Sequence, residues 1–188
     1  MEEYSLFSSK VWSTKLNIEK EGLISRIKEF ADENPSQRFS NVNGYQGHRF
    51  DDEELVNGIK NNVPETDEDL GELYVHTWVN INPKDAYNMR HTHTNGLVLL
   101  SGVYYVKVPE NSGSIVFHDP RGPILHSMAD QRYYNQASYS AIIPEEDKIF
   151  YFPSWLEHEV DVNNSDEERI SISFNIIRKN DCDWKMYL

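Results

Sequence analysis

Cysteine is almost missing from this chain: Cys182 is the only one among 188 residues. No disulfide framework can form within one copy, and a reducing interior, the cytoplasm, is the default expectation. Basic charge is also scarce, with 18 Lys and Arg against 31 Asp and Glu, a net charge of −13. That balance repels a phosphate backbone and an anionic membrane surface, and the basic residues are scattered instead of striped, so nucleic-acid binding is not expected. Long hydrophobic runs are absent, so no transmembrane segment is expected. The start, Met1-Glu2-Glu3-Tyr4-Ser5, lacks the basic-then-apolar layout of a secretory signal. Internal repeats and low-complexity tracts are absent as well.

What is present is enough for one core: 22.0 kDa with 38% hydrophobic residues. A single domain over residues 1–188 is expected, with an N-terminal helical part (1–72), a core (73–177) and a C-terminal tail (178–188). Leu23, Ile24, Ile27, Phe30 and Ala31 recur at helical spacing, which predicts a helix over 17–32 with Asn17 as N-cap and Asn34-Pro35 as its end. A second, acidic helix is predicted around Glu53–Lys60. From Leu73 the pattern changes to short extended runs at 73–81, 97–108, 114–118, 139–143, 148–152 and 169–177, separated by Pro-, Gly- and Asn-rich turns. Many short strands with polar turns predict an all-β core of the sandwich or jelly-roll type, with the N-terminal helices packed on it. Residues 121–138 read as a long loop over one mouth of the barrel.

Chemistry concentrates in the histidines. In His91-Thr92-His93, side chains at i and i+2 of an extended segment leave the same face, about 6.5 Å apart, and two imidazoles so placed can share one metal ion. Asn88 and Arg90 put the pair at a polar strand end. His158 follows an apolar strand and Pro153, where a barrel strand reaches its rim. A cysteine-based structural zinc site is disfavoured, because no cysteine accompanies the three histidines. His48, His76 and His126 read as ordinary surface or hydrogen-bonded histidines, and Trp78 and Trp155 as core.

Arg169 opens the alternating run Arg169-Ile170-Ser171-Ile172-Ser173-Phe174-Asn175-Ile176. The isoleucines and Phe174 mark one face, so Arg169, Ser171, Ser173 and Asn175 share the other. An arginine beside hydroxyls on an inward face suits a bound carboxylate, which it can grip bidentately. The other reading is that this face meets solvent and Arg169 pairs with Glu167 or Glu168.

An ordered set of segments carries a family resemblance: Ser40-Asn41-Val42-Asn43-Gly44-Tyr45-Gln46, Trp78-Val79-Asn80-Ile81-Asn82-Pro83, His91-Thr92-His93, Ser101-Gly102-Val103-Tyr104-Tyr105, Phe117-His118-Asp119-Pro120-Arg121, Phe152 to Val160 and Arg169 to Asn175. The chain resembles the 2-oxoglutarate–Fe(II) oxygenases, and more narrowly a branch found in marine bacteria and their phages. The resemblance implies a double-stranded β-helix (jelly roll, cupin-like) and Fe(II) with 2-oxoglutarate as co-substrate. It further implies a dioxygenase that hydroxylates a substrate with formation of succinate and carbon dioxide.

Carried over residue by residue, His91 and His158 match the two iron histidines and Arg169 the anchor for the distal carboxylate of 2-oxoglutarate. Ser171 stands where some members have a serine assisting that arginine. Tyr105 is assigned as a hydroxyl partner of the co-substrate. The chain departs from the His-x-Asp or His-x-Glu pattern at its middle position, His93. Either His93 ligates in a three-histidine site or an acid such as Asp119 takes that corner; strand pairing favours His93. The substrate is left open between a small molecule, a protein residue and a nucleobase, and a homodimer is also left open. The rival readings are a cupin-like metal enzyme that does not use 2-oxoglutarate, and a non-catalytic jelly-roll binding module.

Overall fold

Strands that alternate apolar and polar residues have two different faces, and this fold covers each face with something different. The computed structural model describes residues 2, 8–66, 69–94, 97–121 and 138–179. Two antiparallel sheets face each other as a double-stranded β-helix. The larger has six strands, in the order β1 (Trp12–Lys15), β9 (Lys148–Pro153), β6 (Val98–Lys107), β11 (Arg169–Arg178), β4 (Leu73–Asn82), β3 (Tyr45–His48). The smaller has five, in the order β2 (Asn41–Val42), β5 (Tyr87–His91), β10 (His158–Val160), β7 (Ile115–His118), β8 (Tyr139–Ile142).

The outer face of the larger sheet is apolar. Ile170, Ile172, Phe174 and Ile176 of β11 and Val75, Val79 and Ile81 of β4 are buried there with Leu23 and Ile27 of α1 (Lys20–Glu33) and Leu55 and Ile59 of α2 (Glu53–Asn61). The helices thus cover the barrel from outside, as expected. Gly102 makes this packing possible: it lies opposite Phe174 in the strand register, and a Cβ there would sit 2.2 Å from Phe174 Cζ. The inner face holds Arg169, Ser171 and Ser173 of β11, Trp78 and Asn80 of β4, and Val103 and Tyr105 of β6. No helix among the described residues is long and apolar enough to cross a membrane.

The six strand runs read from sequence match β4, β6, β7, β8, β9 and β11 to within one residue at each end. The N-terminal part is not purely helical. β1 pairs with the edge of β9, β3 with the edge of β4, and β2 with β5, so residues 1–72 also extend both sheets. The turn between β2 and β3 is made by Asn43, with φ of 59°, and Gly44. Asn17 is not the N-cap of α1. The segment after β1 stays pinned by Leu16 N–H donating to the Asp147 carbonyl, and Glu19 caps instead, accepting from the Glu21 and Gly22 N–H groups at 3.0 and 2.7 Å. Asn34 does end the helix. Trp155 is not core: it sits in the turn after β9 and is 47% exposed. The loop read at 121–138 falls, apart from its two end residues, outside the described residues, as do His126, Cys182 and the tail from 180 onward.

Candidate metal centre

β10 pairs with β5 so that His158 lies directly opposite His91, which is how residues 67 positions apart meet. Their ring centroids are 4.4 Å apart. His93 lies beyond the end of β5, so strand alternation alone does not place it. Its backbone N–H donates to the Ser154 carbonyl at 2.9 Å, tying the segment to the turn after β9. Its ring then lies 5.1 Å from His91 and 5.0 Å from His158, centroid to centroid. One nitrogen of each of the three rings falls within 4.8 Å of the others, the only such group of three among the described residues.

Each ring is turned the same way by an acceptor. His91 Nδ1 lies 2.6 Å from the Met89 carbonyl and His158 Nδ1 lies 2.9 Å from the Leu156 carbonyl. A carbonyl can only accept, so both Nδ1 atoms carry the proton and both Nε2 atoms keep a lone pair. His93 Nδ1 lies 2.7 Å from Ser101 Oγ, whose own proton goes to Asn175 Oδ1 at 2.8 Å. The Ser101 oxygen is therefore an acceptor toward His93, and the third ring takes the same tautomer. Burial keeps all three rings neutral. It pushes His158 down to about 3, with His91 and His93 adding to the effect, and His93 down to about 4, with His91 adding; His91 is lowered by burial too. Three lone pairs with engaged Nδ1–H groups behind them suit a borderline cation such as Fe(II), with open positions left over.

Inward from the rings a narrow cavity is lined by Asn80, Tyr105, Phe152, Ser171 and Ser173. Tyr105 faces in, while Tyr104 faces the helices and donates to Asp147 at 3.3 Å. Arg169, two residues along β11 from Ser171, is 1% exposed, so the solvent-facing alternative is excluded. Its Nη1 donates to the Ser112 carbonyl and, at 3.4 Å, to that of Asp161, but its Nη2 has no partner. Tyr105 Oη is also buried without a partner. Burial pushes the Tyr105 hydroxyl up to about 12, with the nearby Arg169 charge opposing, so it stays a donor. Two unmet donors around one buried cation fit an anionic ligand, because leaving them empty costs desolvation energy. The donor chemistry of the site thus suits a carboxylate such as that of 2-oxoglutarate, as the three lone pairs suit iron.

Asp119 is not brought to the rings. It forms a two-point pair with Arg121, Nη2 to Oδ2 at 2.8 Å and Nε to Oδ1 at 3.0 Å, and this holds its carboxyl below the usual range. His48 and His76, read as ordinary residues, line a cleft that opens on His91 and His93. Trp78 is buried, as read, but it lines this cleft and meets His93 edge-on at 5.4 Å. Ser101 was not singled out from sequence. Its position on the inner face of β6, two residues before Val103 and four before Tyr105, was the available signal.

Comparisons with known proteins bear on the family and the fold. A model of the family described as "Putative 2OG-Fe(II) oxygenase" matches residues 76–175. Comparison with curated protein sequences finds no match. Among solved structures, the chain is similar to a prolyl hydroxylase from Trichoplax adhaerens in complex with a hypoxia-inducible-factor peptide (TM-score 0.63, 13% identity, 93% of this chain and 86% of that one). It is similar to a Pseudomonas putida prolyl-4-hydroxylase (TM-score 0.57, 15% identity, 92% and 95%). A third similar structure is HygX from Streptomyces hygroscopicus with nickel, 2-oxoglutarate and hygromycin B bound (TM-score 0.56, 9% identity, 90% and 83%).

Proposed function

This chain belongs to the 2OG-Fe(II) oxygenase family, and from that membership we propose that it hydroxylates a small molecule or a protein residue in the cytoplasm with dioxygen as oxidant. One oxygen atom goes to the substrate and the other to succinate as 2-oxoglutarate loses carbon dioxide. His91, His93 and His158 hold Fe(II) through their Nε2 atoms, and Arg169, with Tyr105 and Ser171, holds the distal carboxylate of 2-oxoglutarate. Iron with 2-oxoglutarate supplies the oxidising chemistry when bound.

The residues of this chain do the positioning. Met89, Leu156 and Ser101 hold the three Nδ1–H groups, so each ring presents a lone pair and little freedom to turn. Arg169 keeps its charge in a water-poor pocket, where a guanidinium–carboxylate pair is strong. Tyr105 keeps its proton and donates to the same carboxylate. Phe152, Val103 and Ile115, lining the cavity, keep water from the reacting end.

The observation that carries this reading is two unmet sets on one inner face: lone pairs at the ring end of the cavity and, at the end lined by Tyr105 and Ser171, the Tyr105 Oη with the neighbouring Arg169 Nη2, both without partners among the described residues. A cupin-like enzyme that does not use 2-oxoglutarate leaves the second set unexplained. Anaerobic addition of Fe(II) and then 2-oxoglutarate is expected to produce a weak visible charge-transfer band, and air is expected to release succinate. Iron bound stoichiometrically with no band and no succinate would overturn the proposal.

A further inference from the structure

Outside the triad lies a cleft of about 400 Å³, within the size range of small-molecule sites. Its walls include Phe39, Gln46, His48, His76, Trp78 and Met89, and it opens directly on His91 and His93. Gln46 and His48 stand two apart on β3 and so share a face, opposite Asn80 and Trp78 in the strand register. The His48 ring lies between Phe39, at 4.7 Å, and Trp78, nearly parallel at 9° and 5.6 Å. Phe39 and Met89 are 62% and 47% exposed at the rim, an apolar mouth over a polar floor.

Two atoms of that floor lack partners. Gln46, 3% exposed, has its Oε1 buried without a hydrogen bond, and so is His48 Nε2. A carbonyl oxygen can only accept, and a neutral imidazole nitrogen can accept, so a ligand that satisfies both brings a donor. The cleft offers no counter-charge. No carboxylate is among its described lining residues, and its one fully charged side chain, Arg90, is already paired with Glu157. His48 itself stays neutral, pushed down to about 4 by burial, with His76 and Arg49 beside it.

We infer that this cleft is the substrate subsite of the proposed oxygenase, and that it takes an uncharged, largely apolar molecule whose neutral hydrogen-bond donor, a hydroxyl or an amide N–H, is received by Gln46 and His48. A charged substrate loses hydration there without compensation, whereas a neutral donor fills a bond the free protein leaves unmade.

Matched probes test this on the full chain without metal, by saturation-transfer NMR titration. N-methylbenzamide is set against N,N-dimethylbenzamide, p-cresol against 4-methylanisole, and benzoate and benzylamine serve as charged controls. In at least one pair the donor member is expected to bind about fivefold tighter than its methylated partner, the factor for one net hydrogen bond. The pair that discriminates identifies the donor as amide or hydroxyl. Gln46→Met and His48→Phe, near-isosteric changes, are expected to erase the preference while the methylated probes bind as before. Equal binding within both pairs, or charged probes binding as well as neutral ones, would overturn the inference, and this comparison needs no variant to fold. Because the titration uses neither iron nor 2-oxoglutarate, failure of the proposed oxygenase reaction leaves its result standing. If succinate forms and the donor preference is missing, the subsite assignment alone is wrong.

Discussion

Ser101→Ala isolates the contact that fixes the third histidine of the centre. Ser101 is fully buried, accepts from His93 Nδ1 at 2.7 Å and donates to Asn175 Oδ1 at 2.8 Å. Because its proton is committed to Asn175, only its lone pairs face His93, and the ring must keep its proton on Nδ1. Alanine removes both bonds and loosens the hold on the His93 ring, which can then place its proton on Nε2, where a metal would bind. The lost bond contributes about 1 kcal/mol net, and the lost preference of tautomer and ring angle adds to it. Together they predict metal affinity about 10- to 100-fold weaker, the usual range for a partner behind a ligating histidine. The missing oxygen opens too small a space to unfold the barrel. Competition for Fe(II) against a chromophoric chelator measures the effect, with His158→Ala marking full loss and Asn175→Asp, which keeps an acceptor for the serine, marking retention. Wild-type affinity in Ser101→Ala, beside clear loss in His158→Ala, would refute the argument that this hydroxyl makes His93 a ligand.

Tyr105→Phe deletes a buried hydroxyl that has no partner; the ligand-free protein is expected to gain about 1 kcal/mol in denaturant unfolding, while the 2-oxoglutarate requirement rises. Arg169→Ala is expected to raise the KM for 2-oxoglutarate tenfold or more, in a succinate assay, through loss of a charge-assisted pair. Asp119→Ala is expected to keep iron and His93→Ala to lose most of it, by metal analysis after loading; the reverse order would return the middle corner to a carboxylate. His48 has a folded pKa of about 4 against an ordinary value of 6.5. Between those values the unfolded chain takes up a proton that the folded chain refuses, so stability is full above about pH 6.5 and falls toward pH 4. Denaturant melts across that window should show His48→Phe losing about 1–2 kcal/mol less than wild type, a figure reduced for the partial exposure of the ring.

The long strands were legible because alternation over eight or ten residues has one consistent reading. In β11 it separated Ile170, Ile172, Phe174 and Ile176 from Arg169, Ser171, Ser173 and Asn175, and the fold keeps that division. β1, β2 and β3 are edge strands of two to four residues defined by their pairing with β9, β5 and β4, and the three-residue β10 is held between β5 and β7; β7 and β8 are as short but are bounded by turn signals. His91 and His158 were legible as a pair by type and rim position. The fixing of His93 was not, since it rests on Ser154 and Ser101, residues from two other segments. Trp78 and His76 could have been placed from sequence: they alternate with Val75, Thr77 and Val79 and so share the inner face with Asn80. His48 reaches the same cleft only through the β3–β4 pairing, a contact that nothing in the local pattern announces.

The division of faces also explains why such a site can exist in a small barrel. The helices of the first 61 residues take the apolar face of the larger sheet, so the barrel interior does not have to serve as the main core. Beside a smaller apolar cluster around Phe117, Phe150 and Phe152, it can be lined by serine, asparagine and histidine, with the buried Arg169 on the same inner face. Among the described residues, that interior supplies no carboxylate at the metal corner. With three neutral imidazoles, iron held there keeps one more positive charge than with two imidazoles and an aspartate. In the proposed reaction the compensating negative charge has to come from the co-substrate, whose carboxylates meet the iron at one end and Arg169 at the other. Each then raises the affinity of the other by the same factor, as linkage requires. Exchanging His93 for aspartate would weaken that coupling while leaving a competent set of ligands.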